Sequence, residues 1–281
     1  MKLKSFLSFL LICVCVVCAV FLLKQVYITS ETEIVTTYIY EKEVRLLTNQ
    51  MIIMNQPSDP IAESDDIGII YEPYNYALPV PESEEVDTAY FDKAVFIGDS
   101  RMLGLIKYTA IKPINYCSVG FSVAEYDRTP FVKLDEGNFT VKEALLENND
   151  YDAVYISTGL NELGWSIGRF DEKYREMLID IKSKAEGRPV YIQLIMPVTS
   201  EFEASKVMNP YKLKNSDVVL FNDRLKAIAE EYEVYYIDCL QMFVLENGTL
   251  DPEKSSDGAH LTMKAYEEQL GFYKTHVADV K

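Results

Sequence analysis

Apolar residues are distributed along this chain in three regimes. Phe6 to Leu23 is an almost unbroken apolar run in which only Ser8 is clearly polar. Gln25 to Val86 has no sustained period; its second half is broken by Pro57, Pro60, Pro73, Pro79 and Pro81 and carries acidic clusters at 64–66 and 82–85. From Asp87 onward, short apolar runs alternate with amphipathic segments, the pattern of a parallel sheet covered on both faces. The predicted strands are Ala94–Ile97, Ile114–Ser118, Tyr151–Ser157, Pro189–Met196 and Val234–Asp238. The predicted helices are Met102–Tyr108, Thr140–Asn148, Asp171–Ala185 (ended by Gly187), Ser216–Tyr232 and a last one after Thr262. Asn209–Asn215 reads as polar loop.

The first regime is framed by Lys2 and Lys4 before it and Lys24 after it. As a helix it spans roughly 27 Å, close to the hydrocarbon core of a bilayer. It is longer than the apolar core of a secretory signal, and no Ala-x-Ala follows it. The expectation is an uncleaved signal anchor over 1–24, with the leading lysines cytoplasmic and the remainder exported on a single-pass membrane protein. Residues 25–86 then read as an extended acidic stalk, with possible secondary structure at Ile34–Val44 and Arg45–Met54 and some packing on the domain around Ile67–Tyr76. The domain proper is expected over 87–281.

Composition narrows the function. The formal net charge is −17 over 281 residues, which disfavours a broad basic face for nucleic acid. Cys13, Cys15 and Cys18 lie in the anchor. Cys117 and Cys239 lie in or beside strand-like runs and read as buried thiols, with a bridge between them left open. No spacing suggests zinc, and no metal or organic cofactor is called for.

The chemistry concentrates where strands end. Gly98-Asp99-Ser100-Arg101 sits between the first strand and the first helix, which puts the Ser100 hydroxyl at the carboxyl edge of the sheet and its N–H near a helix N-terminus. The alternative is a turn with a helix cap. Asp99 reads as a turn residue. Gly120 and Asn161 fall at the ends of the second and third strands, on the same edge. Ser256-Asp257-Gly258-Ala259-His260 is a polar loop holding one of two histidines; the other, His276, reads as surface. A serine nucleophile needs a base that is neutral near pH 7, and that base needs an acceptor for its second nitrogen. Ser100, His260 and Asp257 have the matching residue types.

These four segments resemble, in order, the motifs of the SGNH (GDSL-type) hydrolases: Gly98-Asp99-Ser100, the lone Gly120, Gly159-Leu160-Asn161-Glu162 with Glu162 where Asp is usual, and Asp257-Gly258-Ala259-His260. The resemblance implies a flavodoxin-like three-layer α/β/α sandwich around a central parallel sheet. It implies ester hydrolysis with Ser100 as nucleophile, His260 as base and Asp257 as its orienting acid. The Ser100 N–H, the Gly120 N–H and the Asn161 amide would form the oxyanion hole. Arg101 and Trp165, the only tryptophan, are candidates for substrate contact. An exported, anchored esterase lies beside envelope polymers, so the expected substrate is an O-acetyl or other acyl ester on carbohydrate. The other readings are a lipid or lysophospholipid esterase, an acyltransferase to a surface glycan working with a membrane partner, and an inactive glycan-binding module.

Overall fold

The computed structural model describes residues 74–210 and 212–278. The expected anchor and the stalk as far as residue 73 lie outside them. Among the described residues no helix is long and apolar enough to cross a membrane.

Five parallel strands form the central sheet: β1 (Ala94–Gly98), β2 (Ile114–Cys117), β5 (Ala153–Ser157), β6 (Val190–Gln193) and β7 (Tyr235–Ile237). Their order is β2-β1-β5-β6-β7, the doubly wound arrangement of flavodoxin-like folds. The helices are α1 (Ser100–Tyr108), α2 (Val141–Glu147), α3 (Ile167–Ala185), α4 (Ser200–Ala204), α5 (Asn215–Glu231) and α6 (Met263–Lys274). Strand side chains alternate between two cores. Val95, Ile97, Val154, Ile156, Val190 and Ile192 meet α2, α3 and α5 on one face. Phe96, Tyr155, Tyr191 and Ile237 meet α1 and α6 on the other. The three-layer expectation therefore holds.

The second face carries a row of rings. Phe96, Tyr155, Tyr191 and Tyr235 are register partners on β1, β5, β6 and β7. Successive centroids lie 4.9, 4.5 and 5.3 Å apart. Tyr74 and Tyr76 continue the row, 4.9 and 5.2 Å from Tyr235. Such pairs contribute about 0.5–1.5 kcal/mol each beyond their buried area.

Four sequence readings change. The described chain packs on the domain ahead of residue 87: Val80 is buried, and the N–H groups of Val80, Ser83 and Val86 donate to the carbonyls of Tyr236, Thr275 and Lys274. The segment gains apolar burial and backbone partners that an extended spacer would forgo. Helix α3 starts at Ile167 because the Ser166 hydroxyl accepts from the Arg169 N–H and caps it. The fourth ladder stops at Gln193; beyond it the Asn222 side chain pairs with both backbone groups of Ile195, and Asn215 does the same for Val198. Asn215 is accordingly a buried helix residue rather than loop. A two-stranded hairpin, β3 (Val132–Leu134) with β4 (Gly137–Phe139), covers the edge after β2. Cys117 and Cys239 are both free.

Candidate active site

Strand β1 ends at Gly98 because nothing larger fits. A Cβ there would lie 2.5 Å from the Ser157 carbonyl oxygen and 2.7 Å from the Met102 Cβ. The chain then turns, and the buried Asp99 carboxylate accepts the Arg101 N–H at 2.8 Å, capping α1. Ser100 is the first residue of that helix. Burial raises the Asp99 pKa, against the opposing pull of Arg101 and its N–H.

The Ser100 hydroxyl lies 2.8 Å from His260 Nε2, and His260 Nδ1 lies 2.7 Å from Asp257 Oδ2. The other Asp257 oxygen accepts the N–H groups of Ala259 and His260 at 2.9 and 2.7 Å. Burial pushes the Asp257 pKa up, but these N–H groups and the imidazole outweigh it and hold the carboxyl below its usual range. Gly258 turns the loop at φ 92°, with Phe202 and Thr199 against it. The Thr199 N–H donates to the Gly258 carbonyl. An acceptor on one imidazole nitrogen and a hydroxyl on the other fix the ring for proton transfer from serine.

The other two candidates, Gly120 and Asn161, follow the ends of the strands that flank β1. The Ser118 N–H donates to the Gly98 carbonyl, and the Asp99 N–H to that of Ser157. Gly120 is exposed at φ 76° in the turn closed from Phe121 to Ser118. Asn161 is exposed, and its Nδ2 donates to the Phe121 carbonyl at 2.8 Å. One of its two N–H bonds is thereby fixed, which orients the other. Gly159 takes φ 129°, and Ile195 occupies the place of its missing Cβ.

Sequence reading gave Glu162 no role beyond its departure from Asp. The structure gives it a definite one. It is fully buried, and its Oε1 accepts the Val123 N–H at 2.6 Å and the Thr158 hydroxyl at 3.0 Å. Asn161 and Glu162 together grip residues 121–123, beside Gly120. The available signal was Thr158, a hydroxyl four residues ahead of an acid just past a strand end.

The structure spends the Arg101 guanidinium on backbone carbonyls. Its Nε donates to the Ala259 carbonyl at 2.8 Å, and its terminal nitrogens donate to the carbonyls of Met196 and Pro197. Trp165 is half-buried against the core, and the Arg169 guanidinium covers one ring face at 3.9 Å. Among the described residues no group of His, Cys, Asp and Glu gathers as a metal site.

A model of the GDSL-like lipase/acylhydrolase family matches residues 114–268, more than half of the chain. The chain belongs to this family. Like the family, it is an ester hydrolase. The matched stretch holds Gly120, Asn161, Asp257 and His260, and Ser100 lies ahead of it. Among solved structures, a GDSL-like lipase from Bacteroides thetaiotaomicron shares 17% identity over 71% of this chain and 91% of its own, with a TM-score of 0.50. A lipase/acylhydrolase from Enterococcus faecalis shares 16% over 65% and 93%, with a TM-score of 0.47. The acetyl xylan esterase AlAXEase shares 13% over 66% and 99%, with a TM-score of 0.46. The first of these likenesses shows the shared fold. No curated protein sequence matches the chain.

Proposed function

We propose that this GDSL-like hydrolase is a membrane-anchored, extracytoplasmic serine esterase that removes short acyl groups, acetyl foremost, from cell-envelope carbohydrate. The observation that carries the serine mechanism is the unbroken run from Ser100 Oγ through His260 to Asp257, at 2.8 and 2.7 Å. Ser100 Oγ attacks the ester carbonyl as its proton passes to His260 Nε2. The Asp257 carboxylate stabilises the imidazolium. The oxyanion takes hydrogen bonds from the N–H of Ser100, the N–H of Gly120 and the free N–H of the Asn161 amide. Collapse breaks the ester C–O bond, and the departing alcohol takes the proton from His260. Water repeats the sequence on the acyl-serine, releasing the carboxylic acid and restoring the serine hydroxyl.

Openness supports a bulky alcohol. The side chains of His260 and Asp257 are 36% and 54% exposed, so the base stands where a polymer can lie across it. The apolar run at 6–23 and the lysines around it support anchorage and export. The test uses the full chain in detergent. A fluorophosphonate probe should label Ser100, found by peptide mass spectrometry, and Ser100→Ala and His260→Ala should each abolish labelling and acetate release from an O-acetylated glycan. Labelling that survives either change defeats the assignment. Faster cleavage of long-chain esters than of acetyl glycan moves the substrate to lipid, and acetyl appearing on an added sugar acceptor makes the enzyme a transferase.

A further inference from the structure

One cation joins the three loops that meet at the reacting hydroxyl. Arg101 follows Ser100 directly, and Ala259 precedes His260 directly. The Arg101 guanidinium bonds the Ala259 carbonyl at 2.8 Å, the Pro197 carbonyl at 3.0 Å and the Met196 carbonyl. Its backbone N–H is tied to Asp99. We propose that Arg101 is a positioning residue of the hydrolysis, its guanidinium holding the serine turn and the histidine loop at the separation that lets Ser100 and His260 share a proton. This rests on the serine reading above.

The geometry is specific to a guanidinium. It presents donors in a planar fork of fixed angles, and here the fork reaches carbonyls from two chain segments distant in sequence. A lysine would bring one compact charge to the same space and could not span both. None of the three bonded atoms belongs to a carboxylate, so the arrangement is not an ion pair. The strongest opposite charge acting on it is Asp99, itself buried. Packing alone would be served at lower desolvation cost by methionine or leucine. What the cation adds is direction: it fixes the backbone one residue before the base relative to the backbone one residue after the nucleophile. The segment 196–199 closes the figure, because it accepts from Arg101 at Met196 and Pro197 and returns a bond from the Thr199 N–H to the Gly258 carbonyl. Asp257 then aims the imidazole from within its own turn. The ring is oriented by Asp257, and the loop carrying it is located by Arg101.

The test compares the wild-type full chain with Arg101→Lys, Arg101→Gln and Arg101→Ala, with rates taken per folded molecule from circular dichroism. For p-nitrophenyl acetate, kcat should fall about 10–100-fold, as expected for a reacting pair displaced by a fraction of an ångström to an ångström. KM should stay within about twofold, and fluorophosphonate labelling of Ser100 should slow in parallel. Millimolar methylguanidinium should restore part of the Arg101→Ala rate, and methylammonium at the same concentration should not. Variants that melt earlier yet keep wild-type kcat and labelling make Arg101 a structural strut and overturn the proposal. A raised KM at unchanged kcat returns Arg101 to substrate binding and overturns it equally. A wild-type chain that neither labels nor cleaves fails one step earlier, at the serine reading, and takes this inference with it.

Discussion

Glu162 is an acid sealed in the protein with only half of its carboxyl engaged. Oε1 holds Val123 and Thr158; among the described residues Oε2 has no hydrogen-bond partner, and neither does the buried hydroxyl of Tyr174. Its pKa is raised to about 7: burial pushes it up, the two donors pull it partly back, and the Asp99 charge adds a smaller upward push. The protonated form is therefore the one the fold favours, and the sign of the consequence follows. Below the unfolded pKa, near 4.5, folded and unfolded chains both hold the proton and nothing is lost. Between about 4.5 and 7 the unfolded chain releases it and the folded chain does not, so stability falls by up to about 3 kcal/mol. Glu162→Gln should remove this component. Urea unfolding of both proteins at pH 4.5 and 7.5 checks it, and a wild-type slope no steeper than that of the variant refutes it. The sequence exposed Glu162 only as a departure from a motif; its environment is made by strand ends far apart in the chain. The bonding of Arg101 was hidden for the same reason. Its partners, Met196, Pro197 and Ala259, are backbone atoms, and backbone atoms leave no mark in a sequence.

Helices α1 and α6 pack through a glycine. A Cβ on Gly104 would run into the Tyr266 ring, with Cε2 at 2.8 Å and the hydroxyl end closer still. Tyr266 is itself buried and stacked on Tyr108, 5.8 Å between centroids, so the ring has little freedom to retreat. Gly104→Ala should gain up to about 1 kcal/mol of helix propensity and lose about 1–3 kcal/mol to overpacking. The expected net is a lower urea midpoint, and an unchanged or higher one would show that the two helices slide apart freely. Strands were legible at this scale because a parallel sheet covered on both faces demands continuous apolar runs, such as Ala94–Ile97 and Ala153–Ile156 in this chain. The β3–β4 hairpin and α4 were not, since elements of three to five residues are too short to display a period. Asn215 and Asn222 look like surface residues in any composition; they are buried because they complete the backbone pairing that the shortened β6 leaves open.

For the molecule as a whole, the stretch at 74–86 belongs with the sheet rather than with a spacer. The packing of Tyr74 and Tyr76 was expected from the sequence, but the prolines and acids beyond them hid the rest, because Val80 is a faint apolar signal beside them. A chain begun at Asp87 loses the burial of Val80, the Tyr74 and Tyr76 rings on Tyr235, and the backbone bonds of Val80, Ser83 and Val86. It should unfold at least about 2 kcal/mol more easily than one begun at Glu72, or roughly 4–8 °C lower by calorimetry. Equal melting of the two would show the segment to be ornamental.

The single indole has an optical consequence. Trp165 is the only tryptophan beside 20 tyrosines, its backbone N–H donates to the Glu162 carbonyl, and a guanidinium lies over its ring. Light at the red edge of absorption, where tyrosine is transparent, excites this ring alone. Its emission colour is set by the Arg169 charge and by whatever moves the Asn161–Glu162 turn. The enzyme thus carries an unlabelled fluorescent probe four residues from Asn161, and a shift in its emission on mixing with substrate would report movement of that turn with substrates that release no coloured product.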